Sequence, residues 1–132
     1  MKKILILLIV ILCSCSKEIE VDPIIGKWKI NRELRFGLDI LDDCSRKITI
    51  RYAINGEKTI ESYQTNSTGD CIHKTYGSGW QYRGDGWYEQ LNGDYGFKVI
   101  FSNNNNTYTI PGNTGLSQAD REKTFIEYIR IE

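Results

Sequence analysis

Apolar residues follow two different patterns along this chain. Residues 4–12 form an unbroken apolar run behind Lys2 and Lys3. At about half of the roughly twenty residues a membrane-spanning helix needs, it suits the apolar core of a secretion signal that is removed rather than folded. Past residue 26 the pattern changes to short apolar and polar alternation punctuated by glycine and asparagine, with no sustained helical period. That is an all-β pattern. A first strand is expected over residues 27–34. Residues 47–54 alternate cleanly, Asn55-Gly56 favours positive φ, and residues 57–65 return, so a hairpin is expected with Ile48, Ile50, Tyr52 and Ile54 facing the core. A two-residue loop sets Tyr63 opposite Ile48 and turns Glu61 inward. A three-residue bulged loop instead brings Ile60 and Ser62 inward, and the pattern leaves both open.

A second hairpin is expected from residues 78–83 and 87–91 around Gly84-Asp85-Gly86, with Trp80, Tyr82, Trp87 and Leu91 on the core face and Gln81, Arg83, Tyr88 and Gln90 outside. Residues 97–101 and 107–110 pair around four asparagines, Asn103 to Asn106, which tolerate left-handed turn geometry. One or two helical turns over residues 116–122, with Ser117 near their start, lead to a last strand over residues 124–131. The sum is about eight strands in an antiparallel meander.

The apolar run ends in Leu12-Cys13-Ser14-Cys15, which resembles the processing site of bacterial lipoproteins: small Ser14 before the cysteine and Leu12 three positions upstream of Cys15. Cys13, preceded by bulky Leu12, fits less well. The resemblance implies that residues 1–14 are a lipoprotein signal peptide, that Cys15 carries the lipid, and that residues 15–23 are a short stalk below a domain at residues 24–132. Two acyl chains on Cys15 suffice for stable anchoring, where one gives only marginal binding. The protein is therefore expected in the bacterial cell envelope, tethered to the outer membrane on its periplasmic or surface face. Lys17-Glu18-Ile19-Glu20 either resembles the acidic export tag of some surface lipoproteins or is an ordinary solvated stalk.

Removing the first fourteen of 132 residues leaves 118, enough for one domain. The 17 basic and 17 acidic residues become 15 and 17 without Lys2 and Lys3, a net charge of about −2. Nucleic-acid binding, which needs a basic excess, is not expected. Cys44 and Cys71 remain as an even pair, and in an oxidising envelope such a pair reads as a disulfide. A metal pair lacks companions, because His73 is the one histidine.

A meander of eight strands opening with Gly26-Lys27-Trp28 resembles the lipocalin superfamily, closest to the small lipocalin-like domains of bacterial lipoproteins. The resemblance implies that Trp28 plugs the closed end of a barrel and that Arg130, near the end of the last strand, packs across the indole. Asp94-Tyr95 faintly resembles the family's second motif. The resemblance also implies a small apolar ligand, and with the hairpin parity it makes Ile50, Tyr52, Tyr63, Trp80, Tyr82 and Phe101 candidate lining residues, all of which suit a solid core as well.

Catalytic chemistry finds no constellation in this sequence. His73 between Ile72 and Lys74 reads as a strand histidine, and adjacent Asp42 and Asp43 point to opposite sides if extended. Gly77, Gly79, Gly84 and Gly86 lie in turns rather than before a phosphate-binding helix. The expectation is a non-enzyme without cofactor or metal. A second reading makes the domain an interaction module for a glycan or a protein, including inhibition of a cell-wall hydrolase, acting through exposed Tyr88, Arg83 and the loops.

Overall fold

The computed structural model describes residues 20–91, 95–112 and 115–132. Its strands are β1 (Gly26–Arg35), β2 (Leu38–Asp39), β3 (Thr49–Tyr52), β4 (Glu57–Thr65), β5 (Cys71–Gly84), β6 (Trp87–Leu91), β7 (Tyr95–Lys98), β8 (Ile100–Ser102), β9 (Thr107–Pro111) and β10 (Phe125–Arg130). A 3-10 turn at Ser45–Lys47 and the one-turn helix α1 (Gln118–Arg121) complete the set. The expectations for the signal peptide, Cys15, most of the stalk and Asp94 lie outside the described residues.

The strands join in the order β7-β6-β5-β4-β3-β1-β10-β9-β8, with β2 attached to β1 alone. Every ladder is antiparallel. The two ends of that order, β7 and β8, flank Val99 in one continuous run, which pairs with β6 along its first half and with β9 along its second. The sheet thereby returns on itself as a nearly closed antiparallel barrel of nine strands. With β7 and β8 taken as one run, the barrel has the eight strands of the sequence pattern.

Loop chemistry sets the registers. Between β3 and β4 the loop has three residues: Ala53 N–H donates to the Glu57 carbonyl at 2.8 Å and Gly56 adopts φ 83°. Ile50 then pairs with Ile60 and Tyr52 with Lys58. Ile54, expected in the core, sits in that loop at 78% exposure. Since side chains alternate faces, Tyr63 and Glu61 turn outward with it.

Between β5 and β6, Asp85 (φ 50°) and Gly86 (φ 76°) make a two-residue turn, but the register shifts between Tyr82 and Gly84. Arg83 is the extra residue of a bulge, so Tyr82 faces Tyr88 instead of Glu89. That single residue reverses the expected parity of β6. Tyr88 is buried at 2% exposure, whereas Trp87 and Leu91, expected inside, are exposed. The asparagine turn follows expectation, with positive φ at Asn103, Asn104 and Asn105. Ser117 caps α1 by accepting the Asp120 N–H at 3.2 Å.

β4 and β5 run on past their outer neighbours. β3 pairs with β4 as far as Glu61 and β6 pairs with β5 from Gly79 onward, so Ser62 to Thr65 and Cys71 to Lys74 pair only with each other among the described residues. The far end of this projecting ribbon, where Thr65 pairs with Cys71, is fastened twice. Cys44 and Cys71 form a disulfide, Cα to Cα 5.5 Å, joining the turn before β3 to the start of β5. Beside it, Thr65 Oγ1 donates to Asp42 Oδ2 at 2.6 Å. Hydrogen bonds from Ser45, then from Thr65, hold the Asp42 carboxyl well below the usual carboxylate range.

Candidate functional site

One end of the barrel is shut by the segment preceding β1. Trp28 is fully buried, and its indole N–H donates to the Ile24 carbonyl at 2.7 Å. The Arg130 guanidinium lies 4.2 Å from the Trp28 ring centre. It also donates to the carbonyls of Pro23 at 2.6 Å and Ile25 at 2.7 Å. Stacking on the indole while bonding carbonyls in its own plane is what a planar guanidinium can do and a lysine cannot. Gly26 makes room for it: at φ 137° any Cβ would collide with that guanidinium and with the Glu132 carbonyl. Asp22 completes the closure by accepting the Ile24 N–H at 2.9 Å and the Tyr88 hydroxyl at 2.7 Å. Arg130 thus lies against both Gly26 and Trp28, the other two positions that the resemblance singles out.

Above this floor the interior is filled by rings. Trp28 meets Tyr108 at 4.6 Å, Tyr108 stacks on Tyr128 at 4.8 Å, Tyr52 meets Trp80 at 5.7 Å, and Trp80 leads to Tyr88 at 5.9 Å. Phe101 closes on Trp28 and Tyr108 at 6.3 and 6.2 Å. Of the six candidate lining residues, Ile50, Tyr52 and Trp80 are buried in this core and Phe101 packs against it. Tyr82 sits at the rim, 47% exposed, against Tyr88. Tyr63 is on the outer surface, stacked on His73 at 4.7 Å, because the three-residue loop reversed its face. His73 in turn bonds Glu61, which holds the Glu61 carboxyl low with help from Thr75. Tyr88, expected as an exposed recognition residue, is core. Arg83 is exposed, as expected, and paired with Glu89.

Two polar groups inside the barrel stand out. Lys58 is only 7% exposed, and its ammonium lies 5.5 Å from the Tyr52 ring centre and 5.1 Å from that of Phe97. It has no carboxylate partner among the described residues. Burial pushes its pKa down. Among the described residues the buried Tyr108 hydroxyl has no hydrogen-bond partner of good geometry, and the Tyr52 hydroxyl is near enough for the two to act on each other's ionisation. The sequence reading missed Lys58. Its signal was the alternation itself, since a register that turns Ile60 inward must turn Lys58 inward too.

Space accessible to a ligand lies outside the core. A cleft of about 410 Å³ opens where Val21 and Asp22 pass Tyr82, Tyr88 and Phe101. A groove of about 550 Å³ crosses the outer faces of β1, β3 and β4 between Lys27, Lys47, Arg51 and Tyr63. A third cleft, of about 340 Å³, adjoins that groove and shares Lys27 and Arg51 with it. Compared with known protein families, with curated proteins and with solved structures, the chain finds no match.

Proposed function

We propose that this chain is a lipid-anchored protein of the bacterial envelope whose small lipocalin-like barrel is a non-catalytic interaction module, meeting its partner on the outside of the barrel. The observation that carries this reading is the continuous ring packing from Trp28 through Tyr108 to Tyr128, and from Tyr52 through Trp80 to Tyr88, in the space a carrier would leave for its ligand. A barrel filled by its own side chains offers a partner its outer surface. The anchoring part rests on Lys2, Lys3, the apolar run and Leu12-Cys13-Ser14-Cys15.

A carrier of a small apolar ligand is the second reading, favoured by the Lys58 ammonium, which has no carboxylate partner among the described residues, and by the Tyr108 hydroxyl inside the barrel. Titration of the protein with fatty acids while following tryptophan emission separates the two. Trp28 and Trp80 line the core, so the module predicts no saturable quenching, and saturable quenching would make the protein a carrier. For the anchor, Cys15→Ala should abolish acyl labelling. Labelling that persists would place the lipid elsewhere.

A further inference from the structure

The outer face of β1, β3 and β4 holds cations in an arrangement that works against folding. Lys27 stands directly opposite Arg51 in the β1–β3 ladder, and both point outward because their neighbours Trp28, Ile50 and Tyr52 are core. Like charges directly opposite each other destabilise a sheet. Lys29 follows on the same face of β1, and Lys47 borders the groove ahead of β3. Among the described residues Lys29, Lys47 and Arg51 form no ion pair, and Lys27 reaches only exposed Glu132 at 3.5 Å. Glu61, the acid in the groove, is engaged by His73 and Thr75. Overall composition does not account for the cluster, since basic and acidic residues are equal in number along the chain.

Resting on the reading of the domain as an interaction module, we propose that this groove binds a linear acidic polysaccharide. The guanidinium of Arg51 suits a carboxylate or sulfate in bidentate geometry, and Lys27 and Lys47 supply point charges to either side. Thr49 and Thr59 place hydroxyls between them. Tyr63 forms one wall, and its ring is held in orientation by the His73 stack, ready to lie against a sugar ring. Because the adjoining cleft shares Lys27 and Arg51 with the groove, a chain-like ligand can occupy both, passing the exposed Ile54. Residues 20–23 leave the barrel beside Tyr82, Tyr88 and Phe101, on β5, β6 and β8, across the ring of strands from β1 and β3.

The test uses the full-length lipoprotein in nonionic detergent, titrated calorimetrically with polygalacturonate, dextran sulfate and uncharged dextran. Binding to both acidic polymers, weakened by salt and absent with dextran, is expected. Lys47→Ala with Arg51→Ala should weaken it about tenfold or more. Lys98→Ala with Arg121→Ala, which removes two exposed cations from other faces, should leave it unchanged. Neither double variant should lower the melting temperature, and the loss of Arg51 from opposite Lys27 should raise it slightly. No binding, or equal losses in the two double variants, would overturn the groove. So would displacement of the polymers by phosphatidylglycerol added to the micelles, which would make the ligand a lipid headgroup. Tryptophan emission read on the same samples with a fatty acid keeps the two claims apart. Lost polymer binding with silent tryptophans overturns the groove alone, and saturable quenching overturns the module reading whatever the polymers do.

Discussion

Lys58→Met should make this protein more stable, and the gain should shrink as the pH is raised. The lysine stem is already buried, and methionine of similar length keeps that packing, so the substitution removes little besides the ammonium. An ammonium taken from water costs several kcal/mol even after relaxation. Against this stand two cation-π contacts, to Tyr52 and Phe97 at the long ring distances of 5.5 and 5.1 Å, each worth roughly 0.5 to 2 kcal/mol between the exposed and the desolvated limit. Among the described residues no carboxylate adds to them, so the balance leaves a gain of about 1 to 3 kcal/mol at neutral pH. In a domain of this size that is a rise in Tm of roughly 5 to 10 °C.

The sign of the pH dependence follows from the direction of the shift. Burial lowers the folded pKa of Lys58 below its ordinary value of 10.5, so below the folded pKa both states are protonated and the folded state bears the full penalty. Between the two values the unfolded chain binds more protons and wild-type stability rises with pH relative to the variant. Urea denaturation of both proteins at a series of pH values up to the ordinary lysine value measures this, and the comparison cancels the buried tyrosines, which titrate in both. A variant less stable than wild type at neutral pH, or a difference that does not change with pH, would refute the view that this amine is uncompensated.

Trp28→Ala should cost about 3 to 5 kcal/mol and Arg130→Ala less, with a double mutant that loses less than the sum; additive losses in chemical denaturation would dissolve the pairing of plug and cap. Tyr108→Phe should be neutral or stabilising by up to ~1 kcal/mol, since it deletes a buried hydroxyl with no partner, and a clear loss of stability would mean that the hydroxyl is satisfied. Reducing the Cys44–Cys71 bond, which spans 27 residues, should lower stability by about 3.5 kcal/mol in the chain-entropy account, some ten degrees in Tm. Reactive thiols at both positions in unfolded, unreduced protein would remove that claim.

The class of fold was legible because alternation, turn residues and the absence of a helical period all pointed one way. Register was not, and register decides the site. Asn55-Gly56 suits loops of two or three residues equally well, so nothing local said that Ile54 would be loop, Tyr63 surface and Lys58 core. The Arg83 bulge is likewise silent in the sequence, yet it exchanges Trp87 for Tyr88 in the interior. Both errors moved residues by one position, which in a strand means the opposite face. The cluster of Lys27, Lys47 and Arg51 depends on the same choice and on β1 lying beside β3. The disulfide, by contrast, needed only an even pair of cysteines, and Gly26, Trp28 and Arg130 were named through a resemblance, since neither parity nor spacing brings the two chain ends together.

The clamp on the segment before β1 bears on how the domain would carry a load. A pull on the chain ahead of Glu20 does not reach the β1 ladder first. It meets the bond from Tyr88 to Asp22, then those from Arg130 to Pro23 and Ile25. Tyr88 belongs to β6 and Arg130 to β10, so the tension passes to strands on both sides of the barrel before it can peel the edge of β1. A domain tied down at this end resists being drawn out strand by strand, and the hold of one guanidinium on two carbonyls is the last side-chain grip the load meets before the β1 ladder.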